Sequence, residues 1–229
     1  MPHHVSIVIR TFNEQKWIRH CLLAVFSQNY CSFDVVIVDS NSSDNTLRIC
    51  EDFPIRQVVH IDDYRPGDAL NKGIQANPAD YYVCLSAHCI PCNQQWLDNL
   101  TSAFVNPNIV GIYGRQLPLP SSQNIDKRDL LMTFSCESRL TTMDGFFHNA
   151  NSALRHSYVS NNLFDPSVTN AEDHVWGRNA ILNNHALFYS AEASVFHHHG
   201  LHQGSPPKRV NGVLGQIRAM HRSKSNIFP

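Results

Sequence analysis

Near the start of the chain, two short apolar runs each stop abruptly in a polar cluster. Val5-Ser6-Ile7-Val8-Ile9 runs into Arg10-Thr11-Phe12-Asn13-Glu14, and Val35-Val36-Ile37-Val38 runs into Asp39-Ser40-Asn41-Ser42-Ser43-Asp44. Runs of β-branched residues of this length predict parallel strands buried on both faces. Between them, positions 15–28 carry apolar residues at Trp17, Ile18, Cys21, Leu22, Val25 and Phe26, the stripe of a helix laid on a sheet. The alternation continues. Asp44 is placed to cap a helix toward Cys50, positions 55–61 predict a third strand, and 68–76 predict a short helix stopped by Asn77-Pro78. Positions 81–85 predict a fourth strand, 93–104 a fourth helix and 109–113 a fifth strand. Such strand–helix repeats predict an α/β fold with a mostly parallel sheet and helices on both faces. Ligands bind open sheets of this kind beyond the carboxyl ends of the strands. Two polar strand ends separated by one helix therefore predict one shared ligand site.

The pattern changes after Gly114. Leu117-Pro118-Leu119-Pro120-Ser121-Ser122 predicts a loop, and the stretch up to Asn170 has weak periodicity and many Asn and Ser residues. It suits a region that covers substrate. Positions 171–184 regain a helical pattern, and a short strand-like run precedes His197. The chain thus divides into 1–115, a second half of the same domain at 116–200, and a basic tail at 201–229.

Composition narrows the class. Hydrophobic content of 42% and charged content of 16% are those of a globular protein, and a net charge of −1 gives no field that favours nucleic acid. No apolar run approaches a membrane span, and Met1-Pro2-His3-His4 leads straight into a strand without the pattern of a secretory leader. Seven scattered cysteines, an odd number, suit reduced thiols in the cytoplasm better than a disulfide framework. Cys89-Ile90-Pro91-Cys92 is a lone Cys-x-x-Cys with no second pair to complete a zinc site.

Asp39 is the first residue with chemistry to offer. An acid at a strand's carboxyl end accepts hydrogen bonds from a base or ribose, and Thr11, Asn13 and Glu14 line the same crevice. Helix capping is the competing account for Asn13 and Asp44, but Asp39 comes too early for it.

The residues 5–14, followed by Val36-Ile37-Val38-Asp39-Ser40-Asn41-Ser42-Ser43-Asp44-Asn45-Thr46 and by Pro66-Gly67-Asp68-Ala69-Leu70-Asn71-Lys72-Gly73, resemble glycosyltransferase family 2. The Arg10-Thr11 form resembles its rhamnosyltransferase-like and surface-polysaccharide branches. The resemblance implies a GT-A fold in which 1–115 binds a nucleotide-sugar donor and 116–200 holds the acceptor and catalytic groups. It implies inverting transfer to a hydroxyl of a glycan or lipid-linked acceptor, in cytoplasmic synthesis of a bacterial surface glycan at the inner face of the membrane. Thr11, Asn13, Glu14, Asp39 and Lys72 then lie around the nucleotide, with Asp39 at the base. A solvated helix lysine is the rival account of Lys72.

The fourth strand departs from the family. Where members carry Asp-x-Asp to hold a divalent metal on the donor diphosphate, this chain carries Ser86-Ala87-His88. Magnesium prefers oxygen ligands, whereas imidazole suits zinc, nickel or iron, and manganese less selectively. In the extended run Val195-Phe196-His197-His198-His199, His197 and His199 point to one side. His88 with His197 or His199 is thus a candidate metal set for Mn or Mg. Direct hydrogen bonding of these histidines to the diphosphate, or a hydrogen-bonded strand end, are the alternatives.

Glu172-Asp173 matches the family's acidic pair at a helix start, which makes Asp173 the expected general base and Glu172 its acceptor-orienting neighbour. A helix dipole favours acids there whatever the function. Trp176, Arg178, His148 and Asn151 are the expected acceptor contacts, although turn formation explains the 145–151 composition equally well. Lys208, Arg209, Arg218, Arg222 and Lys224 are candidates for a peripheral contact with anionic lipid. Two rival functions remain. One is a sugar nucleotidyltransferase, disfavoured because no Gly-rich loop follows the first strand. The other is a glycosyltransferase-like binding module that has lost catalysis, which the missing carboxylates favour and the Glu172-Asp173 pair opposes.

Overall fold

A computed structural model describes residues 3–199, so the basic tail expected at 201–229 lies outside the described residues. In chain order the elements are β1 (Val5–Thr11), α1 (Ile18–Phe26), β2 (Phe33–Asp39), α2 (Thr46–Cys50), β3 (Gln57–His60), α3 (Pro66–Ala76), β4 (Tyr81–Ser86) and β5 (Cys89–Pro91). They continue with α4 (Trp96–Thr101), β6 (Ile109–Pro118), α5 (Asn124–Thr133), β7 (Arg139–Thr141), β8 (Asn151–Arg155), α6 (His156–Val159), α7 (Glu172–Leu182) and β9 (Ala186–His197). The strands form one nine-stranded sheet in the order β3-β2-β1-β4-β8-β6-β9-β5, with β7 also paired to β9.

The first half is the predicted parallel unit. β2 lies on one side of β1 and β4 on the other, both parallel, and β3 extends the sheet beyond β2. Alternate side chains enter different cores. Val5, Ile7 and Ile9 of β1 join α1 and α4 on one face. Val8 joins α3 and α7 on the other. All four are fully buried, which explains the unbroken apolar run in the sequence.

The second half is mixed. β8 enters antiparallel between β4 and β6, and β6 then runs parallel to β9. The sequence gives no strand signal at 151–155 because Asn151 and Ser152 occupy fully buried positions. Asn151 satisfies its amide internally: it accepts from Trp96 Nε1–H at 2.9 Å and donates to the carbonyls of Ala193 at 2.8 Å and Arg115 at 3.3 Å. A strand whose buried positions are polar and paired carries no hydrophobic pattern.

Smaller differences have local causes. The helix predicted over 93–104 is α4 followed by a 3-10 turn at Ser102–Val105. Asn13 does not cap α1. It adopts a left-handed φ of 55°, and its side-chain Oδ1 accepts the N–H of Ser43 at 2.8 Å. It thereby staples the β1 end to the β2 end. Asp44 closes the turn into α2 by accepting the Thr46 N–H at 2.9 Å. All seven cysteines are free.

Candidate active site

A cavity of about 330 Å³ opens at the carboxyl ends of β1, β2 and β4, lined by Arg10, Thr11, Phe12, Glu14, Ser40, Tyr64, Ser86 and His88. The parallel register creates it. Thr11 pairs with Asp39 and Arg10 with Ser86, so the strands stop together and their following loops face one space. Of the expected donor residues, Thr11, Glu14, Ser86 and His88 line this cavity.

Asp39 takes a different place from the one expected. Its side chain is sealed, at 0% exposure. One oxygen accepts the hydroxyls of Thr11 at 2.8 Å and Ser42 at 2.6 Å, and the other accepts the Ser42 N–H at 2.9 Å. Asp39 therefore shapes the loop, and its neighbour Ser40 faces the cavity. Lys72 lies outside the lining and pairs with Asp68 at 2.9 Å, one turn back along α3. That is the geometry of a solvated helix pair.

Close to Ser86 in the chain, His88 is buried, at 6% exposure. Its Nδ1 meets Glu14 Oε1 at 2.7 Å. The His88 and His197 rings stack with centroids 5.1 Å apart and planes within 6°, and His199 meets His88 edge-on at 5.0 Å. Burial, then the neighbouring His88, push His197 well below the usual imidazole range and His199 down to about 4. Both rings are thus neutral at pH 7. Imidazole lone pairs lie in the ring plane, so stacked parallel rings direct them along separate planes and not at one ion. Among the described residues no group of three or more His, Cys, Asp or Glu side chains is placed to hold a metal. The expected set His88, His197 and His199 does not make a cation cage, and the Ser86-Ala87-His88 segment adds no carboxylate.

The acid pair sits at the start of α7, against the segment 145–151. The helix and this segment approach closely at Gly145 and Gly177, where a Cβ on Gly177 would lie 2.4 Å from the Gly145 carbonyl oxygen. This docking lets the Asn149 N–H reach Asp173 Oδ2 at 3.1 Å, while the His174 N–H reaches Oδ1 at 2.9 Å. Asp173 is half-buried and Glu172 buried. Loss of water around Glu172, reinforced by Asp173 and opposed by Arg10, pushes its carboxyl up to about 7. The Arg10 guanidinium lies 3.6 Å from Glu172 Oε1 and also donates to the Pro66 carbonyl at 3.2 Å and to the Tyr64 hydroxyl at 3.4 Å. Arg10 thus connects the cavity wall to the acid pair.

The expected acceptor contacts divide. His148 stays near the site and bonds to buried Gln116. Arg178 is half-buried, its backbone packed on Gly145. Trp176 is a core residue, 3% exposed, with Nε1–H donating to the Asn162 carbonyl at 2.7 Å and its ring against Phe147. Asn151 is fixed inside the sheet as described. Sequence reasoning missed Phe12, Ser40 and Tyr64 as cavity residues, and treated Arg10 only as part of a motif. The sequence signal available was the aromatic residue standing in a polar cluster just past an apolar strand, as Phe12 does; in the structure Phe12 is 59% and Tyr64 50% exposed.

The mixed sheet with its parallel first half, a cleft at the strand ends and an acid pair on a helix start beside it has the GT-A architecture of the solved structures it matches. Residues 6–163 match the profile of Glycosyl transferase family 2, and the chain belongs to that family. It is 24% identical over 208 residues to O-antigen chain rhamnosyltransferase RfbN of Salmonella typhimurium, covering 85% of this chain and 66% of that one. It is 27% identical over 177 residues to O-antigen chain rhamnosyltransferase WbaN of Salmonella anatum, covering 72% and 56% respectively. The fold matches that of mannosyltransferase PcManGT from Pyrobaculum calidifontis, a structure in complex with GDP-Man and Mn2+. The TM-score is 0.75 at 17% identity, over 97% of this chain and 65% of that one. The chain therefore spans about two thirds or less of the length of these relatives. Among the described residues no helix is long and apolar enough to cross a membrane.

Proposed function

We propose that this protein is an inverting glycosyltransferase that moves a sugar from a nucleotide-sugar donor to a hydroxyl of a glycan or lipid-linked acceptor. The observation that carries the reading is Arg10, which lines the cavity and reaches the acid pair from it, so that a donor in the cavity presents its sugar beside Asp173. The nucleotide lies across the ends of β1 and β2, where the exposed faces of Phe12 and Tyr64 offer stacking surface. Arg10 faces the diphosphate from the cavity wall, and its guanidinium N–H groups favour the charge that develops as the diphosphate leaves. Asp173, held by two backbone N–H groups, takes the proton of the acceptor hydroxyl as that oxygen attacks the anomeric carbon from the opposite face. The relatives named as rhamnosyltransferases and the neighbour bound to GDP-Man support the reaction class. The residues present do not form a cation cage, so no step is assigned to Mn or Mg.

Two measurements test the reading. Asp173→Asn abolishes transfer while leaving donor affinity nearly intact, and retained turnover removes Asp173 from the base role. A thermal-shift panel of UDP, dTDP, GDP and CMP, each with manganese and with excess chelator, identifies the base, because a ligand of the native state alone raises the melting temperature. Stabilisation that survives the chelator fits the cavity as described. No stabilisation by any nucleotide overturns the donor assignment. Pyrophosphate release from a nucleoside triphosphate favours the nucleotidyltransferase reading, and donor binding without transfer or hydrolysis favours an inactive binding module.

A further inference from the structure

Gln116 lies in β6, fully buried, between two histidines that approach the site from different elements. Its Oε1 is 2.7 Å from Nδ1 of His197, the last residue of β9. Its Nε2 is 3.0 Å from Nδ1 of His148, in the segment that orients Asp173. An amide oxygen only accepts and an amide nitrogen only donates. His197 must therefore carry its proton on Nδ1, and His148 must leave Nδ1 bare. A second donor fixes the direction: the Ala150 N–H points at the same His148 Nδ1 from 3.3 Å. Turning the Gln116 amide around would require a proton on that nitrogen and set two N–H groups against each other. The bridge thus imposes complementary tautomers on both rings. It leaves the buried Nε2 of His197, which has no partner among the described residues, as an acceptor stacked beside His88.

We propose that Gln116 is a positioning residue that joins the donor side of the site to its acceptor side by locking His197 and His148 in these tautomers. Its role in turnover rests on the transferase reading above, whereas the tautomers themselves do not. The bridge ties the β9 end, beside the His88 ring in the cavity wall, to 148–149, where the Asn149 N–H holds Asp173. It also fixes the chemistry that His197 presents. A neutral ring with a bare Nε2 accepts from a hydroxyl or an N–H, or meets a cation, and offers nothing to a phosphate oxygen.

The test is long-range 1H–15N spectroscopy of the histidine rings in the full chain, with the two rings assigned by His148→Asn and His197→Asn. The wild type is expected to show His197 protonated on Nδ1 and His148 on Nε2. Gln116→Met, of similar length without an amide, is expected to release His197 into a tautomer mixture, while the Ala150 N–H still favours a bare Nδ1 on His148. Gln116→Glu keeps an acceptor on the Nδ1 proton of His197 and replaces the donor facing His148 with a second acceptor. In Gln116→Met, kcat for transfer is expected to fall by up to about 100-fold, the cost of a small misplacement of site groups by a substitution away from the chemistry, with little change in donor KM. Nε2 protonation of His197 in the wild type overturns the proposal, as does an unchanged His197 ring in Gln116→Met or a loss confined to KM. If Gln116→Met does not fold, the wild-type and Gln116→Glu spectra decide alone. Absence of transfer in a wild type with the expected tautomers counts against the transferase reading and leaves the bridge standing.

Discussion

At the scale of single residues, Glu172 combines burial with two charged neighbours. Its carboxyl is pushed from 4.5 to about 7 by lost hydration first and by Asp173 second, and Arg10 only partly offsets this. The proton belongs to the acid pair as a unit. The folded state holds that proton more tightly than the unfolded chain does. The stability linked to it is therefore fully present below pH 4.5 and is lost as pH rises through about 7. Melting temperatures measured across this window should fall more steeply for the wild type than for Glu172→Gln, whose amide does not titrate. Parallel profiles would show that Glu172 is not desolvated in this way. The acid pair was legible in the sequence because its residue types stand at a helix start. The geometry around Asp39 was not, since nothing in Asp39-Ser40-Asn41-Ser42 announces that Ser42 turns its hydroxyl back to cover the carboxylate.

At the scale of elements, legibility followed the hydrophobic pattern. β1, β2 and β4 are buried on both faces by apolar side chains and were visible as unbroken runs. β8 occupies an equally buried place with Asn151 and Ser152 and was invisible. Hydrogen bonds specify that strand, and its stability is correspondingly exposed to their loss. Asn151→Ala leaves the Trp96 indole N–H and the Ala193 and Arg115 carbonyls without their partner. The expected cost is about 3 kcal/mol in chemical denaturation, since each stranded buried group loses its compensation for desolvation. A cost under about 0.5 kcal/mol, the range of ordinary surface changes, would show that these bonds do not hold β8 in place. The stack of His88 on His197 belongs at this scale too. The sequence places His197 and His199 on one side of a strand, but only the pairing of β5 with β9, Cys89 opposite His197, sets one ring flat against the other.

At the scale of the whole molecule, the cavity at the strand ends and the helix that carries the acid pair are held by one sheet. The division at residue 115 follows the change in sequence pattern, yet the sheet crosses it: β8 pairs with β4 on one side and β6 on the other. A fragment ending at residue 118, the last of β6, keeps every cavity residue but removes the strand between β4 and β6. It should aggregate or remain unfolded, and show no nucleotide-dependent rise in melting temperature. A folded, nucleotide-binding fragment would show that the first half stands alone.

The late arrival of β8 also sets a timetable for synthesis. β4 ends at Ser86 and its partner begins at Asn151, so the 64 residues 87–150 lie between the two. At about 5–20 residues per second, the nascent chain carries an apolar strand with a bare edge for several seconds before its neighbour emerges. During that interval Tyr81–Ser86 is an open template for any other extended chain. Guarding that edge on the ribosome, more than stabilising the finished sheet, should govern how much of this protein a cell recovers in soluble form.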